Sequence, residues 1–235
     1  MELFSFSRLS LFRTCPKRWH YKYVLGLEDP AGAPATLGKT VHKANELCLN
    51  GHSFEDAVVT AYMEEGDSTV EKSTVESMVK TALSYGYRGP TEQHFIMQLA
   101  EGIKLQGYID LVPNNSWIPT VVDWKSGFKC YNVLDTWQIP LYAAAVMEQT
   151  GAEIVKGVLA FLRFRMTRTA LIGRKEALQA KTWAIHTAED IQQRLELLAV
   201  LDMHEAFPAR PSPACGNCPW SLQCLREEKG EVRLC

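Results

Sequence analysis

Long apolar runs are missing from this chain. No stretch approaches the ~20 residues of a membrane-spanning helix, so no membrane partner is expected. The opening MELFSFSRLS does not set an apolar segment behind a basic one, the pattern of a secretory leader. A cytoplasmic setting is therefore expected, in the protein's own cell or, for a phage-encoded chain, in its host. Internal repeats and low-complexity tracts are also missing, which argues against a solenoid or a disordered tail. A strong charge of either sign is absent: 25 Lys and Arg face 27 Asp and Glu, a net charge of -2. Overall charge thus gives no sign of a nucleic-acid partner. The seven cysteines are an odd number and no leader is evident, which favours metal ligation over a disulfide framework.

What is present fits one substantial domain over residues 1–235, with 46% hydrophobic and 22% charged residues. Charge is unevenly placed. From Arg8 to Lys43 the basic residues, Arg18 and Lys22 among them, meet only Glu2, Glu28 and Asp29. From Lys156 to Lys181 they meet only Glu176, whereas Glu55 to Glu76 is acidic. Such runs are often solvated faces; two basic segments around a metal site instead suit a phosphate-binding groove.

Hydrophobic periodicity places a helix capped by Ser7 before Phe12 and another opening at Cys15-Pro16. Further helices are expected at Gly38 to Leu49, Phe54 to Glu65, Thr69 to Tyr87, Asp135 to Gln149 and Glu189 to Glu205. Strands are expected at His94 to Leu99, Lys104 to Val112, Thr120 to Trp124 and Val155 to Phe164, with a short one at Trp183 to Ile185. The stretch Arg168 to Lys181 is ambiguous. This order describes a mixed sheet with helices on its faces. Residues 1–90 form a mainly helical lobe, 91–187 the core and 188–235 a helix with a cysteine-rich end.

The segment GYIDLVPNNSWIPTVVDWKSG carries most of the chemistry. Two apolar runs, each with an aspartate, flank a turn cluster and read as a β-hairpin. Side chains alternate along a strand, so Asp123 and Lys125 share a face. Folding at the turn brings Asp110 beside Asp123. Paired carboxylates repel unless a cation lies between them, so a divalent metal site with an adjacent lysine is expected. Such a site suits metal-assisted attack of water on a phosphodiester; the plainer alternative is a surface ion pair. Gln138 and Tyr142 stand four residues apart on one helical face, able to meet a phosphate or base or simply to pack. His42 lies on a helix as a structural residue or a metal ligand. Glu92 begins a strand, as a surface residue or a carboxylate one shell outside the metal.

Cys215, Cys218 and Cys224 form C-x2-C-x5-C, and no second cysteine pair lies near. Cys15 sits alone at the opposite end. Three thiolates plus one suit an iron–sulfur cluster joining the two ends, with zinc or unliganded thiols as alternatives.

The segments SFSRLSLFRTCPKRWHYKYV, LGKTVHKANE, GYIDLV, VVDWKSG, QIPLY and AFPARPSPACGNCPWSLQC, in this order, resemble the RecB-type PD-(D/E)XK nucleases. Within them the chain resembles the iron–sulfur subgroup, which includes CRISPR-associated spacer-acquisition nucleases and AddB subunits. The resemblance implies a restriction-endonuclease-like α/β fold whose C-terminal segment is stapled by the cluster. It implies Mg²⁺ or Mn²⁺ on His42, Asp110, Asp123 and the Trp124 carbonyl, with Lys125 catalytic. Gln138 joins the catalytic set and, with Tyr142, contacts DNA; Arg18 and Lys22 are further expected DNA contacts. Cys15, Cys215, Cys218 and Cys224 would hold [4Fe–4S]. Ile109 replaces the family's proline, the second acid is aspartate, Lys156 to Lys181 matches poorly, and no helicase motif is present. The expected activity is metal-dependent DNA cleavage, as an exonuclease on single strands or ends, in recombination, repair or CRISPR spacer acquisition. Expected partners are DNA and a CRISPR integrase or recombination complex, with self-association open. A non-catalytic DNA-end adaptor and an iron–sulfur redox sensor are the rival readings.

Overall fold

In the computed structural model, the structure describes residues 2–30 and 32–228. The chain begins with a short strand, β1 (Glu2–Ser5), and helices α1 (Phe6–Thr14) and α2 (Pro16–Tyr23). Then come α3 (Ala33–Leu49), α4 (Phe54–Glu65) and α5 (Lys72–Ser84). Three strands follow, β2 (Thr91–Ala100), β3 (Ile103–Leu111) and β4 (Thr120–Lys125), then α6 (Gln138–Thr150), β5 (Ile154–Phe161) and β6 (Met166–Gly173). The chain continues through α7 (Arg174–Leu197), α8 (Met203–Ala206) and α9 (Ser221–Glu228).

The six strands form one mixed sheet in the order β1-β3-β4-β5-β6, with β2 pairing β3. The β1–β3 and β4–β5 pairs are parallel and the others antiparallel. Alternation along β4 and β5 feeds two cores. Val121, Leu159 and Phe161 face one core with Ile139 of α6 and Ala184 of α7. Val122, Trp124, Val158 and Ala160 face the other with Val41, Val58 and Val79 of α3 to α5. A sheet covered on both faces needs apolar residues at successive positions, which explains the unbroken runs TVV and GVLAF.

The expected mixed sheet with flanking helices is what forms. Some local expectations do not hold. The cap of α1 is Ser5, which accepts the Arg8 N–H, rather than Ser7. β1 lies among the N-terminal helices in sequence but joins the sheet beside β3. Trp183 to Ile185 is not a strand: it lies inside α7, where Ala177, Ala180, Ala184 and Ala188 at helical spacing form the buried stripe. The ambiguous Arg168 to Lys181 divides into β6 and the start of α7, where Glu176 accepts the Gly173 N–H. The helix expected to reach Glu205 stops at Leu197, and α8 follows separately. Pro140 sits in the first turn of α6, where its missing N–H breaks no helical bond.

Candidate metal centre

The site lies where β3 and β4 part. Their backbone pairing is confined to Leu111 and Val122. Continuing that register sets Asp110 opposite Asp123, as the hairpin reading expects. Asp110 itself holds the strands beyond this point: its Oδ2 accepts the Trp124 N–H at 2.7 Å. On the other side of β3, Thr91 pairs with Leu111 and Gln93 with Ile109, so Glu92 stands opposite Asp110.

α3 brings His42 over this row. Its Nδ1 lies 3.4 Å from Asp110 Oδ1, and its Nε2 lies 2.8 Å from the Trp124 carbonyl oxygen. Burial works against charge on His42, but the Asp110 carboxylate, with help from Asp123, raises its pKa to about 9. Burial pushes Glu92 up to about 7, assisted by repulsion from Asp110. Asp123 is 2% exposed. Burial raises its pKa despite the Lys125 charge, and Asp110 adds to the rise.

Lys125 Nζ lies 2.6 Å from Asp123 Oδ2. Burial would lower the lysine's pKa, but the Asp123 charge outweighs it and holds the ammonium above its ordinary value. The same nitrogen donates to Gln138 Oε1 at 2.9 Å, and Gln138 Nε2 donates to the Tyr142 hydroxyl at 3.1 Å. Thus the Gln138–Tyr142 face of α6 forms as expected, but its first contact is Lys125. Tyr142 is only 7% exposed and packs edge-on to Phe95, with ring centroids 5.7 Å apart. Gly107 permits this packing: a Cβ there would lie 2.7 Å from Phe95 and 3.0 Å from Tyr142.

The donors suit a small, hard divalent cation. Carboxylates, an imidazole and a backbone carbonyl converge, and single donor atoms of His42, Glu92 and Asp110 lie within 4.8 Å of one another. Asp123 meets the Lys125 ammonium at Oδ2, and among the described residues no hydrogen bond reaches its Oδ1, so it has acceptor capacity to spare. A sequence profile of the PD-(D/E)XK nuclease superfamily matches residues 3–225.

The chain belongs to this superfamily.

PD-(D/E)XK nucleases hydrolyse phosphodiesters with divalent cations. Among solved structures, 22 chains match. One, described as the crystal structure of SSO0001, is 14% identical, with a TM-score of 0.47, covering 98% of this chain and 87% of that one. No curated protein sequence matches. Among the described residues, no helix is long and apolar enough to cross a membrane.

The structure also gathers the four expected cysteines of this PD-(D/E)XK chain. Cys15 caps α2, Cys215 and Cys218 lie in and just after a short turn, and Cys224 is on α9. All four are free thiols lining one cavity of about 460 Å³. Burial raises the pKa of both Cys218 and Cys224. Along the cavity wall, α2 and α9 are joined by a network that the sequence reading missed. Buried Lys17 reaches Glu227 at 3.1 Å and Glu228 at 2.8 Å, while Tyr21 donates to Glu227 at 2.5 Å. Only the neighbouring Cys15 marks Lys17 in the sequence. Arg18 and Lys22, the expected DNA contacts, bracket Asp29 at 3.2 and 2.9 Å.

Proposed function

We propose that this protein is a DNA exonuclease acting on single strands or DNA ends, with a divalent cation at the sheet site and a [4Fe–4S] cluster in the cysteine cavity. The observation that carries the reading is the Asp123–Lys125–Gln138 chain beside Asp110 and His42. A bound Mg²⁺ or Mn²⁺ would polarise the scissile phosphate and favour deprotonation of the attacking water. Asp110, Asp123, His42 and the Trp124 carbonyl would hold it. Lys125, kept charged by Asp123, offsets the negative charge that develops on the phosphoryl oxygens. Gln138 fixes the direction of the ammonium, and Tyr142 fixes Gln138. A cavity of about 260 Å³ lined by Ser5, Ser7, Gln106, Gln138 and Tyr142 adjoins this chain and offers hydroxyl and amide groups to an approaching strand.

The cluster reading is supported by convergence of both chain ends on one cavity. In this role the cluster is structural, locking α2 to the C-terminal segment. Recombination, repair and CRISPR spacer acquisition all require processing of DNA ends, and a CRISPR integrase or recombination complex is the kind of partner that would present them.

Digestion of end-labelled single strands, duplexes and circles with Mg²⁺ or Mn²⁺ tests the activity. Linear DNA should shorten from its ends, and Asp123→Ala should slow this roughly 100- to 1000-fold. An unchanged rate in that variant would sink the catalytic assignment. Anaerobically purified protein should be brown and carry iron; colourless protein with stoichiometric zinc would overturn the cluster.

A further inference from the structure

Glu92, Asp110 and Asp123 form a row of carboxylates across three adjacent strands, set by the β2–β3 and β3–β4 registers. Like charges on neighbouring strands repel, and the repulsion grows with burial. The chain supplies compensation at two of the three positions: Lys125 at Asp123 and His42 at Asp110. Among the described residues, no hydrogen bond or ion pair reaches the half-buried Glu92 carboxylate. Nevertheless, a Glu92 oxygen, a His42 ring nitrogen and an Asp110 oxygen converge within 4.8 Å. At the far end of the row, Asp123 is held by Lys125 at Oδ2, and among the described residues no hydrogen bond reaches its Oδ1. Glu92 also has φ of 46°, a conformation that side-chain-bearing residues adopt rarely.

We propose that Glu92 is a direct ligand of the divalent cation, making this a three-carboxylate centre with His42 and not a site of two aspartates with an outer glutamate. The inference rests on the metal-dependent reading above. Its chemical consequence is selectivity: another carboxylate oxygen in the coordination sphere favours Mg²⁺ and Mn²⁺ over softer ions. A glutamate that only accepted a hydrogen bond from a cation-bound water would leave the number of such waters unchanged when removed. A direct ligand leaves a position that one more water fills.

The full chain is therefore titrated with Mn²⁺ and followed by electron paramagnetic resonance, with ¹⁷O-labelled water used to count coordinated waters. Glu92→Ala should weaken Mn²⁺ binding by about tenfold or more and add one water to the bound ion. Glu92→Gln, which keeps the side-chain volume, should weaken binding similarly and guards against loss of fold. Unchanged affinity and water count in both variants would overturn the proposal. Wild-type protein that binds Mn²⁺ with the expected water count but cleaves no DNA would refute the nuclease reading and leave the Glu92 assignment standing. Wild-type protein that binds no Mn²⁺ would refute both.

Discussion

Two lysine–carboxylate pairs allow the sheet site and the cysteine end to be compared. Lys125 Nζ lies 2.6 Å from Asp123 Oδ2, and Lys17 Nζ lies 3.1 Å from Glu227 Oε2. Both carboxylates are buried, yet their acidities move in opposite directions. Burial raises Asp123, and repulsion from Asp110 adds to it. Burial also acts to raise Glu227, but donors on Tyr21, Gln223 and Lys17 overcome it and hold the carboxyl below its ordinary value. Both Glu227 oxygens accept from the chain, whereas Asp123 has the Lys125 ammonium at Oδ2 and, among the described residues, no hydrogen bond at Oδ1. The completed network has the character of a structural lock, and the incomplete one of a place kept ready for a cation.

Lys17→Met should have the largest effect on stability, because it leaves Glu227 buried with its charge only partly answered. A loss of about 3–5 kcal/mol is expected in urea unfolding at pH 7. Glu227 and Glu228 titrate below their ordinary value of 4.5 in the folded chain. Their contribution is thus complete above that value and is lost as pH falls through the lower folded pKa. Wild-type protein should lose stability on acidification below this point, and Lys17→Met should lose less. Equal acid slopes for the two proteins would mean that Lys17 does not set the acid sensitivity of Glu227.

Lys125→Met should destabilise less, by about 1–3 kcal/mol, since Asp123 is already poised to accept a proton. Acidification from pH 7 toward 5 should shrink the penalty as that carboxyl becomes neutral. On the proposed role of Lys125, cleavage should fall roughly 100- to 1000-fold, because the ammonium that would answer the developing phosphoryl charge is gone. If this variant lost as much stability as Lys17→Met at both pH values, Asp123 would have to be as firmly ionised as Glu227.

The two regions also differ in how much the sequence reveals. Asp123 and Lys125 share a face because a strand alternates, and the turn cluster after Val112 brings Asp110 back beside them. Local rules are enough there. Ser53 likewise marks the start of α4, whose expected bounds hold. The Lys17–Glu227 contact joins residues 210 positions apart in sequence, across α2 and α9, and no local pattern encodes it. β1 escapes notice for the same reason: four residues acquire strand character from a parallel partner about a hundred residues away. Trp183 to Ile185 misleads because bulky residues suggest a strand when read alone, while the alanine stripe around them determines the helix. Glu92 is visible as a carboxylate near the hairpin, but its positive φ and its place opposite Asp110 follow from the β2–β3 register.

Tyr142→Phe should produce the smallest change and decides what the α6 face does. The substitution keeps the ring against Phe95 and Gly107 and removes only the oxygen that accepts from Gln138. Loss of one such hydrogen bond costs about 0.5–1.5 kcal/mol. If Tyr142 acts through Gln138 on Lys125, the turnover rate should fall by about tenfold or less with KM for DNA unchanged, because the lysine loses orientation but the strand loses no contact. A raised KM with unchanged turnover would instead make Tyr142 a DNA contact, as the sequence resemblance implies. The hydroxyl's partner in this structure is Gln138, and the ring is 7% exposed, so the turnover effect is the expected outcome. In that case the comparison extends one residue further: at the cysteine end Tyr21 completes a carboxylate directly, while at the sheet site Tyr142 works through an amide to aim a cation.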